Sequence, residues 1–464
     1  MLKRRTKIVC TLGPSTATKA MITALVKEGM NVARLNCSHG DWESKREQMG
    51  WIKEAEQDIA PIAIMADLQG PKFRLGVLKG DKLNLKAGQT VTLGPVESDL
   101  PVPSHELVAN MQKGDRILFG DGNVEVRLGN PIEGGFEAKV SAGGEVKTKQ
   151  GITLVGRSFD VPALTSKDLM DVQEAVKSGV DYVALSYVRS AADMRELRQI
   201  VSKLDPTVRL VAKVETKEAL KDIDEIIKSS DVVMVARGDL GLQMEIEEVP
   251  AAQKKIIQKC NQAGIPVITA TQMLESMVTN ARPTRAEASD VANAIMDGTD
   301  AIMLSGETAA GQYPRESVRT MVKIAEKTEP LRVWQRDQSL TSGSEFHTDV
   351  VAQSAVNIAH GLKVRAILTA STSGMTPRMV SKYKPNVPIF CACWSEKVQR
   401  QLAMVGGVHA IVIDPPLNTD DAIRATMNGF LRRKQIKVGD TVVITAGVPV
   451  GHPGKTNLIE VLTV

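Results

Sequence analysis

The chain lacks a disulfide framework. Its five cysteines, Cys10, Cys37, Cys260, Cys391 and Cys393, are odd in number and follow no regular spacing. A small cystine-stapled fold is thereby excluded, and a reducing, cytoplasmic setting is expected. Cys391 and Cys393 are not spaced as a usual metal pair, so a buried strand is their expected place. Charge of one sign is also lacking. Lys and Arg number 58 against 54 Asp and Glu, a net +4 over 464 residues, which leaves no nucleic-acid footprint. No apolar run approaches the ~20 residues that span a bilayer, so no membrane partner is expected. The basic start at Lys3, Arg4 and Arg5 runs straight into a strand pattern, not into an apolar signal core. There is no internal repeat and no low-complexity tract.

What is present is alternation. Eight β-branched or aliphatic runs, at 7–11, 32–36, 62–67, 182–186, 209–214, 232–236, 266–271 and 301–305, are mostly followed by helical patterns such as 167–178, 249–263 and 284–297. Strand and helix in alternation mean parallel strands with helices outside, and eight units favour a (β/α)8 TIM barrel over an open sheet. One connection is too long for a loop. Between Asp67 and Pro162 helical periodicity gives way to short alternating runs punctuated by glycine, the pattern of a small all-β domain, a β-barrel inserted after the third strand. Its place at a strand's C-terminal end puts it over the active face as a lid. A polar stretch at 335–348 then leads to a second α/β unit with a helix at 350–361 and a last strand at 459–464. The expected organisation is a catalytic barrel at 1–69 and 157–330, a lid at 70–156 and a C-terminal α/β regulatory domain at 345–464.

In such a barrel the chemistry gathers where the strands end. Lys213 and Glu215 lie two apart and share one side of a strand, and the next strand ends in Arg237, Gly238 and Asp239. Two carboxylates and an ammonium at adjacent strand ends suit one divalent cation, with hard oxygen ligands favouring Mg²⁺ or Mn²⁺, and one anionic substrate. A structural ion pair between Lys213 and Glu215 is the competing account. Further polar groups fall at other strand ends: Arg34, Asn36, Ser38 and His39; Asp67 and Arg74; Ser186 and Arg189; Thr271 and Gln272; Ser305 and Glu307.

The segments TKIVCTLGP (6–14), RLNCSHG (34–40), MVARGDLG (234–241), TATQMLESM (269–277) and PTRAE (283–287) together resemble pyruvate kinase. The resemblance covers nearly the whole chain in order, lid and C-terminal unit included. It implies a homotetramer that moves a phosphoryl group from phosphoenolpyruvate to ADP, giving pyruvate and ATP, in the last step of glycolysis. It implies that Glu215 and Asp239 hold Mg²⁺, and that Lys213 and Arg34 neutralise the phosphoryl group. Gly238 and Asp239 would receive the substrate carboxylate, Thr271 would stand beside that carboxylate in the substrate site and belong with the enolate's proton relay, and Ser305 would join that relay. Thr11, Pro14, Asn36, His39, Arg74, Asp121 and Lys149 match the family's ADP positions. His39 can alternatively cap a turn, and Arg285, Glu287 and Asp290 can form a structural ion network.

Departures from the family are informative. Gly120 and Gln150 stand where an acid and a lysine are common, and Gln243 stands for a glutamate. Lys72 takes the place of a glutamate that accompanies K⁺ dependence, and Leu68, Gln69 and Leu75 replace polar neighbours; Asn36, Ser38 and Asp67 of that shell remain. A tethered ammonium supplies the charge K⁺ would bring and repels a second cation, so no K⁺ requirement is expected. A hydroxyl-rich turn, Ser371, Thr372, Ser373, Gly374 and Thr376, offers a place for a phosphorylated effector or is an ordinary capped turn. His452 and Lys455 alone serve the last loop, which makes fructose 1,6-bisphosphate an unexpected activator. Two other functions compete: a different enolate enzyme on the same barrel, such as an aldolase or mutase, and a non-catalytic sensor of metabolites.

Overall fold

The structure, a computed structural model, describes residues 4–156, 161–332, 346–448 and 456–464. Eight parallel strands close into a barrel. In chain order they are Lys7–Leu12, Val32–Asn36, Ala63–Asp67, Tyr182–Val188, Arg209–Val214, Val232–Ala236, Val267–Ala270 and Ala301–Leu304, each hydrogen-bonded to its sequence neighbours and the first to the last.

Alternation along these strands makes two cores. Side chains such as Ile8, Leu35, Ile64, Leu210 and Val233 point outward and pack under the helices. Val9, Val32, Met65, Ala184, Val211, Met234, Ile268 and Met303 fill the interior. The same parity governs the rim. Continuing inward-facing series by two residues leads from Val9 to Thr11, from Val32 to Arg34 and Asn36, from Met65 to Asp67, from Ala184 to Ser186 and from Val211 to Lys213 and Glu215. Apolar side chains hold the middle layers; at the C-terminal mouth the series ends in polar groups, and at the opposite end Lys7 and Tyr182 turn their polar atoms to the C-terminal unit. The surrounding helices begin where the sequence signals them: Thr284 caps Arg285–Asp297 in a capping box with Glu287, and Gly298 closes it in a left-handed conformation.

The insert folds as a six-stranded sheet and a two-stranded ribbon around one core. It is not purely β, because Ser104 caps a helix, His105–Asn110. Six residues after a proline-containing run are too few to display a helical period. The two chain crossings that join lid to barrel pair with each other: Leu75 N–H donates to Gln150 O and Ile152 N–H to Phe73 O. The C-terminal unit is a five-stranded sheet with Ala366–Ala370 at its centre, four strands parallel and the last, Leu458–Thr463, antiparallel. Its first helix, Phe346–Gly361, starts four residues before the expected position; much of the polar stretch at 335–348 lies outside the described residues.

All five cysteines are buried free thiols, and Cys391 and Cys393 lie in a strand, Ile389–Cys393, as expected. Burial pushes every one of the thiols up in pKa, Cys393 to about 11. No helix among the described residues is long and apolar enough to cross a membrane.

Candidate functional site

At the mouth of the barrel Lys213 is the hub. Its Nζ donates to Ser186 Oγ at 2.6 Å and lies 3.1 Å from Asp67 Oδ1 and 3.0 Å from Glu215 Oε1. Burial alone would lower its pKa; Asp67 and Glu215 more than reverse that and raise it. Asp67 in turn joins both cations. Its Oδ2 accepts from Arg34 Nε at 2.6 Å, and Lys213 and Arg34 hold its carboxyl below the usual range against the pull of burial. Arg34 Nη1 donates to Thr11 Oγ1 at 3.0 Å, and that hydroxyl donates to Leu304 O. Thr11 is 3 % exposed. In this arrangement it orients Arg34 and does not face the mouth as a free nucleotide contact.

Glu215 is pushed up by burial, and the charge of Asp239 adds to the effect. Its second oxygen accepts from the Tyr187 N–H at 2.7 Å, and the Tyr187 hydroxyl points to Asp239 Oδ1 at 3.4 Å. Tyr187 is a site residue that sequence reasoning missed. It sits in a bulge of the fourth strand, where the register slips between Leu185 and Val188, with φ 54°. Strict alternation hides such a residue. Two carboxylates under mutual repulsion beside a buried ammonium fit a divalent cation, which would relieve the raised Glu215. Among the described residues no group of three or more His, Cys, Asp or Glu forms a ready metal cage, so substrate and water oxygens would complete the ligand shell.

On the opposite wall Thr271 and Gln272 both take positive φ, 68° and 51°, a conformation that costs about 1–3 kcal/mol per residue away from glycine. Thr271 Oγ1 accepts from the Gly238 N–H at 2.7 Å and donates to Ala270 O at 2.6 Å. The backbone N–H expected to receive a substrate carboxylate is thus held by the neighbouring hydroxyl. Ser305 N–H donates to Glu307 Oε2 and Leu274 N–H to Glu307 Oε1, so buried Glu307 staples the ends of the last two strands together. Arg189 turns toward its own helix and pairs with Asp193 at 3.6 Å. Arg237 pairs with Asp290, a supporting ion pair of the kind expected, whereas Glu287 accepts hydrogen bonds from Ser276 and Thr284, and Arg285 is in no ion pair among the described residues.

The remaining positions spread toward the lid. Pro14 and His39 are exposed, and Asn36 Oδ1 accepts from the Ser38 N–H. Arg74 Nη1 donates to Lys149 O, so these two meet at the base of the lid. Asp121 stands at a lid tip between left-handed Gly120 and Gly122. Its charge is felt on the barrel side: Glu275, raised first by burial, is pushed further by Glu307 and Asp121. Glu275 too was missed, since nothing in a helix-like LESM segment marks it. A Cβ on Gly120 would meet Gln150 Nε2 at 2.4 Å, so the two departures in the lid occupy one space. Lys72 is exposed at the hinge, its Cε 3.5 Å from where a Cβ on Gly151 would sit, with no bond to Asn36, Ser38 or Asp67 among the described residues. It lines a cavity of about 50 Å³ with Phe73, Tyr187 and Gln243.

In the C-terminal unit Ser371 Oγ accepts from the Gly374 N–H, and the hydroxyls of Thr376 and Thr456 share a hydrogen bond. Both Ser371 and Thr376 are buried, leaving Thr372 and Ser373 as the partly exposed hydroxyls of that turn. His452 and Lys455 lie outside the described residues.

A parallel barrel whose mouth couples two cations to three carboxylates, under an inserted β lid, has the make-up of a phosphotransferase. Comparison with known families makes the assignment specific. The family model for the pyruvate kinase barrel domain matches residues 3–318, and that for the pyruvate kinase alpha/beta domain matches residues 349–462. The chain is 43 % identical over 472 residues to the pyruvate kinase of Geobacillus stearothermophilus, covering 99 % of this chain and 80 % of the relative. It is 40 % identical over 470 residues to that of Sporosarcina psychrophila and 42 % over 472 to that of Bacillus licheniformis, with the same coverage. The chain belongs to the pyruvate kinase family.

Proposed function

We propose that this chain transfers the phosphoryl group of phosphoenolpyruvate to ADP with Mg²⁺ held by Glu215 and Asp239, and that it does so without K⁺. The observation that carries the reading is the pairing of Lys213 and Arg34 on the two oxygens of Asp67. That carboxylate fixes two cations side by side at the mouth, as charge neutralisation of a transferring phosphoryl group requires. When bound, the divalent ion acts as a Lewis acid toward phosphoryl and enolate oxygens. Arg34 offers a planar fork to the phosphoryl oxygens, and Lys213 supplies charge where the enolate develops. The P–O bond to the enolate oxygen breaks with its electron pair left on that oxygen, and a β-phosphate oxygen of ADP forms the new P–O bond. Carbon 3 of the enolate then takes a proton on the side of Thr271, with Ser305 in the same relay, and pyruvate results. Arg74, Lys149, Asp121, Pro14, Asn36 and His39 serve the nucleotide, Thr11 acting through Arg34. The lid excludes water.

The preparation with phosphoenolpyruvate, ADP and Mg²⁺ should form pyruvate and ATP. Absence of ATP formation, or aldol or mutase turnover in its place, would overturn the assignment. Independence of K⁺ is supported by Lys72 at the hinge and by apolar Leu68 and Leu75. Full activity is expected with tetramethylammonium as the counter-ion, and strong activation by K⁺ would refute it. Lys72→Glu should lower activity and create a response to K⁺. A homotetramer, a cytoplasmic place in the last step of glycolysis, and a phosphorylated effector at Thr372 and Ser373 belong to the same reading.

A further inference from the structure

The left-handed turn at Thr271 and Gln272 calls for a cause. Threonine is β-branched and avoids positive φ, and such residues persist there only when their surroundings leave no choice. Here the surroundings converge in one side chain. Arg237, 10 % exposed, reaches across from the end of the sixth strand. Its Nε donates to Ala270 O at 3.4 Å, and its Nη2 donates to Thr271 O at 2.8 Å and Gln272 O at 3.3 Å. Its Nη1 donates to both oxygens of Asp290, at 2.8 and 2.6 Å, and to Gln253 Oε1 at 3.4 Å. Three successive carbonyls of one turn therefore aim at a single cation. Successive carbonyls point alternately in an extended chain, and positive φ at two adjacent residues turns them to one side.

We propose that Arg237 is a positioning residue for the reaction. It holds the turn left-handed, so that the Thr271 hydroxyl stays on the Gly238 N–H, beside the carbon that takes the proton. Asp290 neutralises the guanidinium and fixes the orientation of its fork. A planar group with five donors can serve three carbonyls and a carboxylate together; the ammonium of a lysine is one compact charge with three donors. This inference rests on the role given to Thr271 above, and its test separates the two.

The decisive variant is Arg237→Lys, which keeps the charge beside Asp290 and loses the fork. Turnover should fall about 10²-fold, the scale of a misplacement near 1 Å, while the KM for phosphoenolpyruvate stays within about 3-fold, since Arg34 and Lys213 are untouched. Exchange of pyruvate methyl protons into D2O, followed by NMR with Mg²⁺ and ATP present, should fall in parallel. Glycine adopts positive φ freely, so adding Gln272→Gly to Arg237→Lys should return part of the lost turnover. Asp290→Asn, which frees the fork and leaves the guanidinium, should show a smaller loss of the same kind and serves if Arg237→Lys does not fold. Near-normal turnover in Arg237→Lys, a loss carried by KM, or no recovery with Gln272→Gly would overturn the clamp. Thr271→Ala tests the underlying role alone. A Thr271→Ala enzyme that exchanges protons at the normal rate removes that role, whereas lost exchange there with retained exchange in Arg237→Lys removes the clamp.

Discussion

The barrel meets its two companions at opposite ends, and the two seams are built differently. Below the barrel, Asp181 binds Arg400 at 3.1 Å, Lys384 binds Asp300 at 2.7 Å, and Lys7 donates to Val408 O at 2.5 Å. Tyr182 donates its hydroxyl to Gln401 O, and Ala403 and Met404 enter the barrel's own inner core. Most of these groups are buried. Above it, the lid touches the barrel through Arg116 and Glu245 at 3.2 Å, both solvent-accessible, and through Gly122 close to Leu242. Buried, fully partnered polar groups tie two bodies into one unit, whereas exposed ion pairs contribute ~0–1 kcal/mol and yield readily. One seam is therefore the firmer and the other the weaker, and the chemistry lies on the side of the weaker.

That contrast can be broken at three places. Lys213→Met strikes the chemistry: turnover should drop by about 10²–10³ or more, in a chain that still folds although two buried carboxylates lose their shared ammonium. A steady-state assay beside a thermal melt decides, and near-normal turnover would remove the assigned role. Asp181→Ala strikes the lower seam. It leaves Arg400 without its carboxylate and the Ile64 N–H without its acceptor, at a cost of about 3–5 kcal/mol. The melting temperature should fall by several degrees while the KM values change little; a chain as stable as the parent would mean that the lower seam is not structural. Arg116→Ala strikes the upper seam, and it should change stability by less than ~1 kcal/mol and raise the KM for ADP modestly. A large loss of stability there would erase the distinction between the seams.

Sequence alone made the barrel legible because parity and alternation are local. Lys213 and Glu215 had to share a face, and Asp67 had to reach the mouth if its strand was in register. What escaped were places where the backbone departs from the pattern. Tyr187 reaches Glu215 only through a bulge, and Thr271 turns left-handed against the preference of its own residue type, held by a side chain from another strand. Thr11 carried a family motif, yet its hydroxyl spans Leu304 and Arg34, a contact across three strands that no spacing encodes. The lid hinge shows the same limit. Lys72 was legible as a replaced glutamate, but that its stem runs past Gly151, on the other chain crossing of the hinge, is a contact between distant segments that no spacing encodes.

The five sealed thiols give the chain an experimental use beyond its chemistry. Each lies in a core and is held protonated, so a maleimide or a nitroxide reagent finds no native target while the protein stays folded. A cysteine placed at exposed Glu133 on the lid and another at exposed Glu247 on the barrel would thus be the reactive pair in an otherwise unmodified molecule. The distance between two labels, followed as substrate and nucleotide are added, would show whether the upper seam moves and by how much.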